Sequence, residues 1–77
     1  MTALLRIPQV EQRLGIKRTA IYERIKHGTL PAPIKYGART SIWPSGEIEQ
    51  CCAAIIRGAS DADMRQLVHD LTEKRAA

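Results

Sequence analysis

The chain of 77 residues contains no phenylalanine, and its aromatic residues are one tryptophan and two tyrosines. A folded core must therefore consist chiefly of Leu, Ile, Val and Ala. Hydrophobic residues make up 44% of the chain and charged residues 26%, which is typical of a globular domain and not of a disordered segment. At this length we expect one domain with one modest core.

Long apolar runs are also lacking. None approaches the ~20 residues that a membrane-spanning helix needs, and the first residues lack the charged start and apolar stretch of a secretory signal. We therefore expect a cytoplasmic location and no contact with a membrane.

Cysteine is scarce, and Cys51 and Cys52 are adjacent. Neighbours on a helix point about 100° apart, so a disulfide between them would strain the backbone. Neither His27 nor His69 has the spacing to complete a metal site with them. We expect reduced thiols, at least one of them facing the core, with an intermolecular disulfide on oxidation as the alternative. No cofactor and no metal are expected.

Charge is distributed unevenly along the chain. Up to Ser45, 8 Lys/Arg stand against 2 Glu, a formal charge of +6, whereas from Gly46 onward 4 basic residues stand against 6 acidic ones, which is −2. A positive field over one half of a domain is typical of a polyanion binder. A merely soluble basic domain would show the same surplus of positive charge. The positions of the charges in the fold therefore have to distinguish such a domain from a polyanion binder.

The basic half begins with a pattern that predicts two short helices. Pro8 suits the first turn of a short helix whose amphipathic part runs through residues 9–14, and Gly15 ends it as a left-handed cap. A second helix over residues 18–27 is stopped by Gly28. Two short helices joined by a turn containing glycine form the helix-turn-helix pattern, although any helical hairpin would produce it too.

A β-hairpin is predicted next. Two short β-prone runs, residues 34–36 and 41–43, flank a four-residue loop, and in this register Ile34 lies opposite Trp43. The loop presents Arg39. A basic tip that follows a basic helix is typical of the wing of a DNA-binding domain, and the same hairpin also closes the core.

The rest of the chain predicts a third helix over about residues 45–57. Ile48, Cys52 and Ile55 repeat in it at helical spacing and form its expected apolar face.

A fourth helix is predicted over about residues 61–74. Ser60 and Asp63 resemble a capping box at its start. Its apolar stripe either packs on its own domain, which we favour, or forms an interface with another chain; the stripe consists of Met64, Leu67, Val68 and Leu71.

Several segments, in a fixed order, carry a resemblance to a known family: residues 5–10, 14–22, 25–31, 33–37 and Trp43. They resemble the AlpA-type family of small regulators carried by prophages and genomic islands, whose fold is similar to MerR-type and excisionase winged helices. The resemblance covers about residues 4–57 and implies a mainly α winged helix-turn-helix with a small β-hairpin, which we expect to form a DNA-binding domain over residues 1–58. The additional C-terminal helix, residues 59–77, lies outside it.

The resemblance also implies site residues. Arg18, Thr19 and Tyr22 match the start of the recognition helix, and residues 35–39 match the wing. Lys17 stands where a Ser or Thr N-cap is usual, and loss of such a cap costs a helix about 1 kcal/mol. The candidate DNA-binding residues on the second helix and the wing are Lys17, Arg18, Thr19, Tyr22, Glu23, Lys26, Lys35, Arg39 and Thr40.

The function predicted from this pattern is sequence-specific binding of double-stranded DNA by a transcriptional regulator, a recombination directionality factor (excisionase), or both. The second helix would enter the major groove and the wing would contact the backbone or minor groove. Expected partners are duplex DNA, an integrase and further copies of the chain on adjacent sites. The alternative is a protein-interaction module, an inhibitor or adaptor, that acts through the C-terminal helix. No constellation of catalytic residues is present at usable spacing, so an enzyme is not expected.

Overall fold

The computed structural model describes residues 2–75, which form four helices and a three-stranded antiparallel sheet. In chain order the elements are β1 (Leu4–Leu5), α1 (Ile7–Leu14), α2 (Arg18–Lys26), β2 (Ile34–Tyr36), β3 (Thr40–Pro44), α3 (Ser45–Ile56) and α4 (Asp61–Arg75). The predicted fold class, a mainly α winged helix-turn-helix with an additional C-terminal helix, is confirmed. Met1, Ala76 and Ala77, which belong to the predicted segments 1–58 and 59–77, lie outside the described residues.

The helix-turn-helix forms where the glycines predicted it. Gly15 ends α1 with a φ of 69°, and its amide donates a hydrogen bond of 2.8 Å to the carbonyl oxygen of Glu11. This left-handed conformation suits glycine because other residues would suffer a clash of Cβ with the backbone. Ile16, in the turn, is half-buried and packs on the core between the two helices.

The hairpin forms, but the predicted register is wrong by one residue. Ile34 pairs with Ile42, not with Trp43, and Tyr36 pairs with Thr40. Thr40 is therefore the first residue of β3, and the loop is shortened to residues 37–39.

The sheet also contains β1, a strand that sequence patterning did not predict. It pairs with β3 on the side opposite to β2, so that Leu5 lies across from Trp43. On the β2 side, the shorter loop of residues 37–39 brings Tyr36 opposite Thr40, so that Ile34 pairs with Ile42 and not with Trp43. A slip of one residue moves every side chain of a strand to the other face, so Ile34 and Trp43 do not form the expected pair. Trp43 is fully buried, and its indole Nε1 donates a hydrogen bond of 2.8 Å to the carbonyl oxygen of Pro31.

Within residues 2–75, the core contains side chains from the sheet and from each of the four helices. Its buried members are mostly aliphatic: Leu5, Val10, Ile21, Leu30, Trp43, Ile48, Cys51, Ala54, Met64 and Leu71. The expected face of α3 needs correction, since Cys51 and Ala54 accompany Ile48 in the core while Ile55 is 46% exposed. Cys52 packs only at the margin of the core. The buried face of α3 is thus shifted by one residue from the face that its hydrophobic spacing predicted.

Helix α4 begins with the predicted capping box. The Asp63 amide donates to Ser60 Oγ at 3.1 Å, and the Ser60 amide donates to Asp63 Oδ2 at 3.3 Å. Of the apolar stripe, Met64 and Leu71 belong to the core, and Leu67 packs on it. The division into a domain over residues 1–58 and a separate segment from residue 59 stays a prediction.

Polar contacts fasten both ends of α4. Arg65 Nε donates a hydrogen bond of 3.0 Å to the carbonyl oxygen of His27 at the end of α2. Arg75 Nε donates to the Glu47 carboxylate at 2.8 Å, and its Nη1 donates to the carbonyl oxygen of Ala32 at 3.0 Å. Glu47 is buried, so this ion pair neutralises a charge that would otherwise be costly inside the fold.

Within the described part of the chain, no helix combines the length and hydrophobicity needed to cross a membrane.

Candidate nucleic-acid interface

Helix α2 is held so that one face is buried and the other is free to contact a ligand. Ile21 is fully buried, while Arg18, Thr19 and Tyr22 are exposed. Lys17 is the N-cap residue and is also exposed; its backbone is extended, and its side chain makes no capping hydrogen bond. Five of the nine candidate residues thus lie on α2 itself and Lys17 directly precedes it.

Helix α1 supplies the cap that Lys17 cannot. The backbone amide of Arg18, the first residue of α2, donates a hydrogen bond of 2.9 Å to Glu11 Oε2. A carboxylate at this end of a helix satisfies a free amide and complements the positive end of the helix dipole. Glu11 therefore fixes the start of α2 relative to α1.

The Arg18 and Tyr22 side chains are organised as a pair. Arg18 Cζ lies 5.8 Å from the centroid of the Tyr22 ring, within range of a cation–π interaction. Tyr22 is 38% exposed. The ring thus restricts the arginine without removing its charge from solvent.

The hairpin presents the remaining candidates in two different situations. Lys35 is exposed on β2, where its Nζ donates a hydrogen bond of 2.9 Å to Ser41 Oγ on β3. Arg39 is exposed as the last residue of the loop, and Thr40, the first residue of β3, is half-buried. Gly37 begins the loop with a φ of 75°, which permits the tight reversal that brings Arg39 back toward the helices.

A groove, which we call the arginine groove, brings α2 and the hairpin together. It has a volume of about 260 Å³, and its walls come from the start of α1, the start of α2 and the hairpin. Its polar side chains are Arg6, Arg18, Tyr22, Arg39, Thr40 and Ser41. Four of the nine candidate residues thus share one surface.

Arg6 is a member of this groove that sequence reasoning counted as a charge but did not assign. It lies between β1 and α1, and its backbone is fixed because its amide donates to Gln9 Oε1 at 2.9 Å while its carbonyl oxygen accepts from the Val10 amide at 3.0 Å. Its place two residues before Pro8, which marks the first turn of the predicted helix, was the available signal in the sequence. Because strand β1 was not predicted, no feature of the sequence indicated that the start of α1 lies against the hairpin.

The arginine groove is positively charged without compensation. Its lining residues, all within the described range, include no Asp or Glu, whereas each of four other depressions on the surface has at least one. Among the ion pairs between residues 2–75, none involves Arg6, Arg18 or Arg39. By contrast, Arg13 pairs with Glu49 and Arg75 with Glu47. The arrangement can therefore bind an anion without first breaking an internal ion pair.

The other candidates lie outside the arginine groove. Glu23 Oε2 lies 3.6 Å from His27 Nε2 one turn further along α2, and Lys26 is the last residue of the helix. Lys17 borders a separate depression together with Glu11. Thr19 is exposed on the first turn. These residues extend the surface along α2 and do not converge on one point.

The two cysteines do not line the arginine groove: Cys51 lies in the core and Cys52 at its margin. Cys51 is fully buried, and burial raises the pKa of its thiol to about 12, with smaller contributions from Cys52 and Glu47. One thiol thus faces the core, as predicted. In the part of the chain that the structure describes, no three His, Cys, Asp or Glu side chains cluster in a way that could hold a metal ion.

Comparison with known proteins gives a family match and a phage relative. The family model described as prophage CP4-57 regulatory protein (AlpA) matches residues 3–55, which include β1, the helix-turn-helix, the hairpin and most of α3. The uncharacterized protein ORF88 of Enterobacteria phage P4 is 33% identical over 54 residues, which is 70% of this chain and 61% of the relative. The chain thus spans about 61% of the length of that relative. No solved structure gave a significant match.

Proposed function

This chain belongs to the AlpA family of prophage regulatory proteins, and we propose that it acts in that family as a regulator that binds a specific sequence of duplex DNA. The predicted family resemblance is confirmed by the match over residues 3–55. The function of the phage relative is not defined by its name, so the DNA-binding role is argued from the surface of this chain.

One observation carries the proposal: the exposed start of α2 and the loop of the hairpin border the same uncompensated arginine groove. A recognition helix and a wing must face the same side of a domain if both are to contact one duplex. An anionic groove or an apolar one between them would repel or fail to attract the phosphate backbone. The positive groove supports duplex DNA as the ligand.

In the proposed complex, α2 enters the major groove and the hairpin contacts the adjacent backbone or minor groove. Arg18 and Lys26 contact phosphate or guanine, Thr19 a thymine methyl group or a phosphate, and Lys17 and Lys35 the backbone. Glu23 is placed to accept a hydrogen bond from a cytosine N4 amino group.

The rival function, a protein-interaction module that uses the C-terminal helix, has less support. A partner-binding helix requires an apolar face that is open to the partner. Met64 and Leu71, the two ends of the α4 stripe, are buried in the core of this chain instead. We therefore place the functional surface on α2 and the hairpin.

The salt dependence of DNA binding tests the proposal. We expect binding of the duplex that the chain selects from a random-sequence library to weaken steeply with salt, because each neutralised phosphate contributes about 0.9 to the log–log slope. About four to six contacts are expected from the basic half of the chain. The control is Arg57→Gln, an exposed arginine just after α3, which should leave the slope unchanged. If no duplex is selected, or if the slope is near zero, the proposal is wrong.

A second assay separates a regulator from a recombination directionality factor, since both would use the same DNA contacts. An in vitro excision reaction with the integrase of the same mobile element, with and without this chain, measures the latter activity directly. Stimulation of excision assigns the recombination role, and its absence together with specific DNA binding assigns transcriptional regulation alone.

A further inference from the structure

We propose that the arginine groove is the binding site of a single phosphodiester group of the DNA backbone, and that Arg6 binds this group together with Arg18 and Arg39. The inference rests on the proposed function and goes beyond it by assigning a ligand atom group to a defined site. It also adds to the interface a residue from the start of α1.

The first argument is that three separate elements carry the three arginines, each on an ordered backbone. The backbone amide of Arg6 donates to the Gln9 side chain at the start of α1, and that of Arg18 donates to the Glu11 carboxylate at the start of α2. Arg39 is carried by the loop between two paired strands. A binding group is most effective when the backbone that carries it is already in place before the ligand arrives.

The second argument concerns the chemistry of the lining. Guanidinium groups bind phosphate oxygens through paired N–H donors, and hydroxyl groups add single hydrogen bonds. The groove offers the hydroxyls of Tyr22, Thr40 and Ser41 beside its arginines. The carboxylate of Glu11 already accepts from the first amide of α2, so an anion here must be bound by side chains and not by that amide.

The third argument distinguishes a phosphate from a base edge. In the major groove a guanine presents two acceptors, N7 and O6, which satisfy one arginine. Three arginines that border one concave surface exceed what a single base can accept. A phosphodiester exposes its charged oxygens to several donors at once, so it matches the groove better. One phosphate held between α1, α2 and the hairpin would also fix the position of the wing relative to the recognition helix.

A scan of neutral phosphate substitutions tests this assignment. The probe is the duplex that the wild-type chain selects from a random library, prepared as a set in which one phosphate at a time is replaced by an uncharged methylphosphonate. For the wild-type chain we expect the largest loss, roughly tenfold or more, at one phosphate, because a hydrogen-bonded charge pair is lost there. The variants Arg6→Gln and Arg39→Gln should bind the unmodified duplex more weakly and show a smaller loss at that same phosphate than the wild-type chain does, because two of the three arginines still contact it.

Two further measurements sharpen the comparison. Arg6→Gln should lower the salt slope by about 1, as removal of one phosphate contact does, while Arg57→Gln leaves it unchanged. Arg6→Lys, which keeps the charge but lacks the paired donors, should retain the slope and lose only part of the affinity. Because the Arg6 side chain forms no ion pair within residues 2–75, we expect both variants to melt like the wild-type chain.

The outcomes separate this inference from the proposed function. If the wild-type chain binds its duplex but Arg6→Gln binds equally well, the assignment of the phosphate-binding site is wrong and the DNA-binding role stands. The same holds if the reduced sensitivity of Arg6→Gln and that of Arg39→Gln fall at different phosphates, since the two arginines would then not share one binding site. If the wild-type chain binds no duplex, both the proposed function and the assignment of the phosphate-binding site are wrong.

Discussion

The carboxylate of Glu11 accepts a hydrogen bond from the backbone amide of Arg18, so that the first helix of the helix-turn-helix caps the second. The two residues are seven positions apart, and the distance from amide nitrogen to Oε2 is 2.9 Å. This contact compensates for Lys17, whose side chain makes no capping hydrogen bond. The start of α2 therefore depends on α1 for its stability and its position.

Replacement of Glu11 by alanine should destabilise the fold by about 1 kcal/mol, because the amide of Arg18 loses its acceptor and the helix dipole its counter-charge. Thermal and urea unfolding measure the change. The matched control is Gln12→Ala, an exposed neighbour on the same helix. Equal stability of the two variants would show that the contact contributes nothing to α2.

Replacement of Lys17 by serine should stabilise the protein by about 0.5–1 kcal/mol, because the extended backbone at this N-cap suits a side chain that accepts from an amide of the first turn. The same substitution removes a positive charge, so the salt slope of DNA binding should fall by about 1 if Lys17 contacts a phosphate. Lys17→Ala serves as the control, since it removes the charge without supplying an acceptor. If the serine and alanine variants unfold at the same urea concentration, the capping explanation fails.

Glu23→Gln should alter sequence preference and not general affinity. The amide keeps one acceptor oxygen but adds an NH2 donor that can pair with adenine, so discrimination for cytosine at one base pair relaxes by about 1–3 kcal/mol. Binding to duplexes that carry each of the four base pairs at every position measures the effect. Glu73→Gln is a matched control, because Glu73 is likewise exposed and likewise lies one turn from a histidine, His69. An unchanged preference profile for Glu23→Gln would remove this residue from the base-reading set.

Helix α4 should be required for the stability of the monomer. Leu71→Ala should cost about 2–5 kcal/mol, since it removes buried methyl groups from the core. Truncation after Ala59 should cost more, because it also removes Met64 and leaves the buried Glu47 without Arg75. Circular dichroism melts measure both variants. An unchanged melting temperature after truncation would instead assign the helix to assembly on DNA.

Stability should fall at alkaline pH because of Cys51. Its pKa in the folded chain is about 12, above the ordinary value of 9.0, so the folded state binds the thiol proton more tightly than the unfolded state does. This contribution is complete below pH 9 and is lost as the pH rises from 9 toward 12. Unfolding midpoints measured across this range for the wild-type chain and for Cys51→Ala, which lacks the thiol, test the sign. A wild-type curve that falls no faster than that of the alanine variant would contradict it.

Short-range patterns in the sequence were sufficient for most of the secondary structure. Gly15 and Gly28 ended the first two helices where expected, and Ser60 with Asp63 began the fourth. These signals are reliable because the physics is local: a left-handed backbone conformation or a side chain that accepts from an amide three residues away needs no tertiary partner. The ordered segments that resembled the AlpA family likewise identified the fold class.

The pairing of strands and the orientation of α3 needed the tertiary structure. The two-residue strand β1 is too short to leave a periodic pattern, yet it places Leu5 opposite Trp43 in the sheet. The hairpin register follows from a loop of three residues where four were expected. On α3, the small side chains of Cys51 and Ala54 fit the crowded interior, while the larger Ile55 lies at the surface. Hydrophobicity along a helix does not reveal how much space its neighbours leave.

The sequence by itself determined where the positive charge lies and which segments are helical, and it named the candidate residues on α2 and the hairpin. Only the tertiary structure decided which of these residues share a surface. Arg6, Arg18 and Arg39 are separated by twelve and then twenty-one positions along the chain, and they border one groove because β1 pairs with β3 and Glu11 caps α2. Charge is a property of each residue, whereas convergence of charges depends on contacts between residues distant in the chain, which no local pattern encodes.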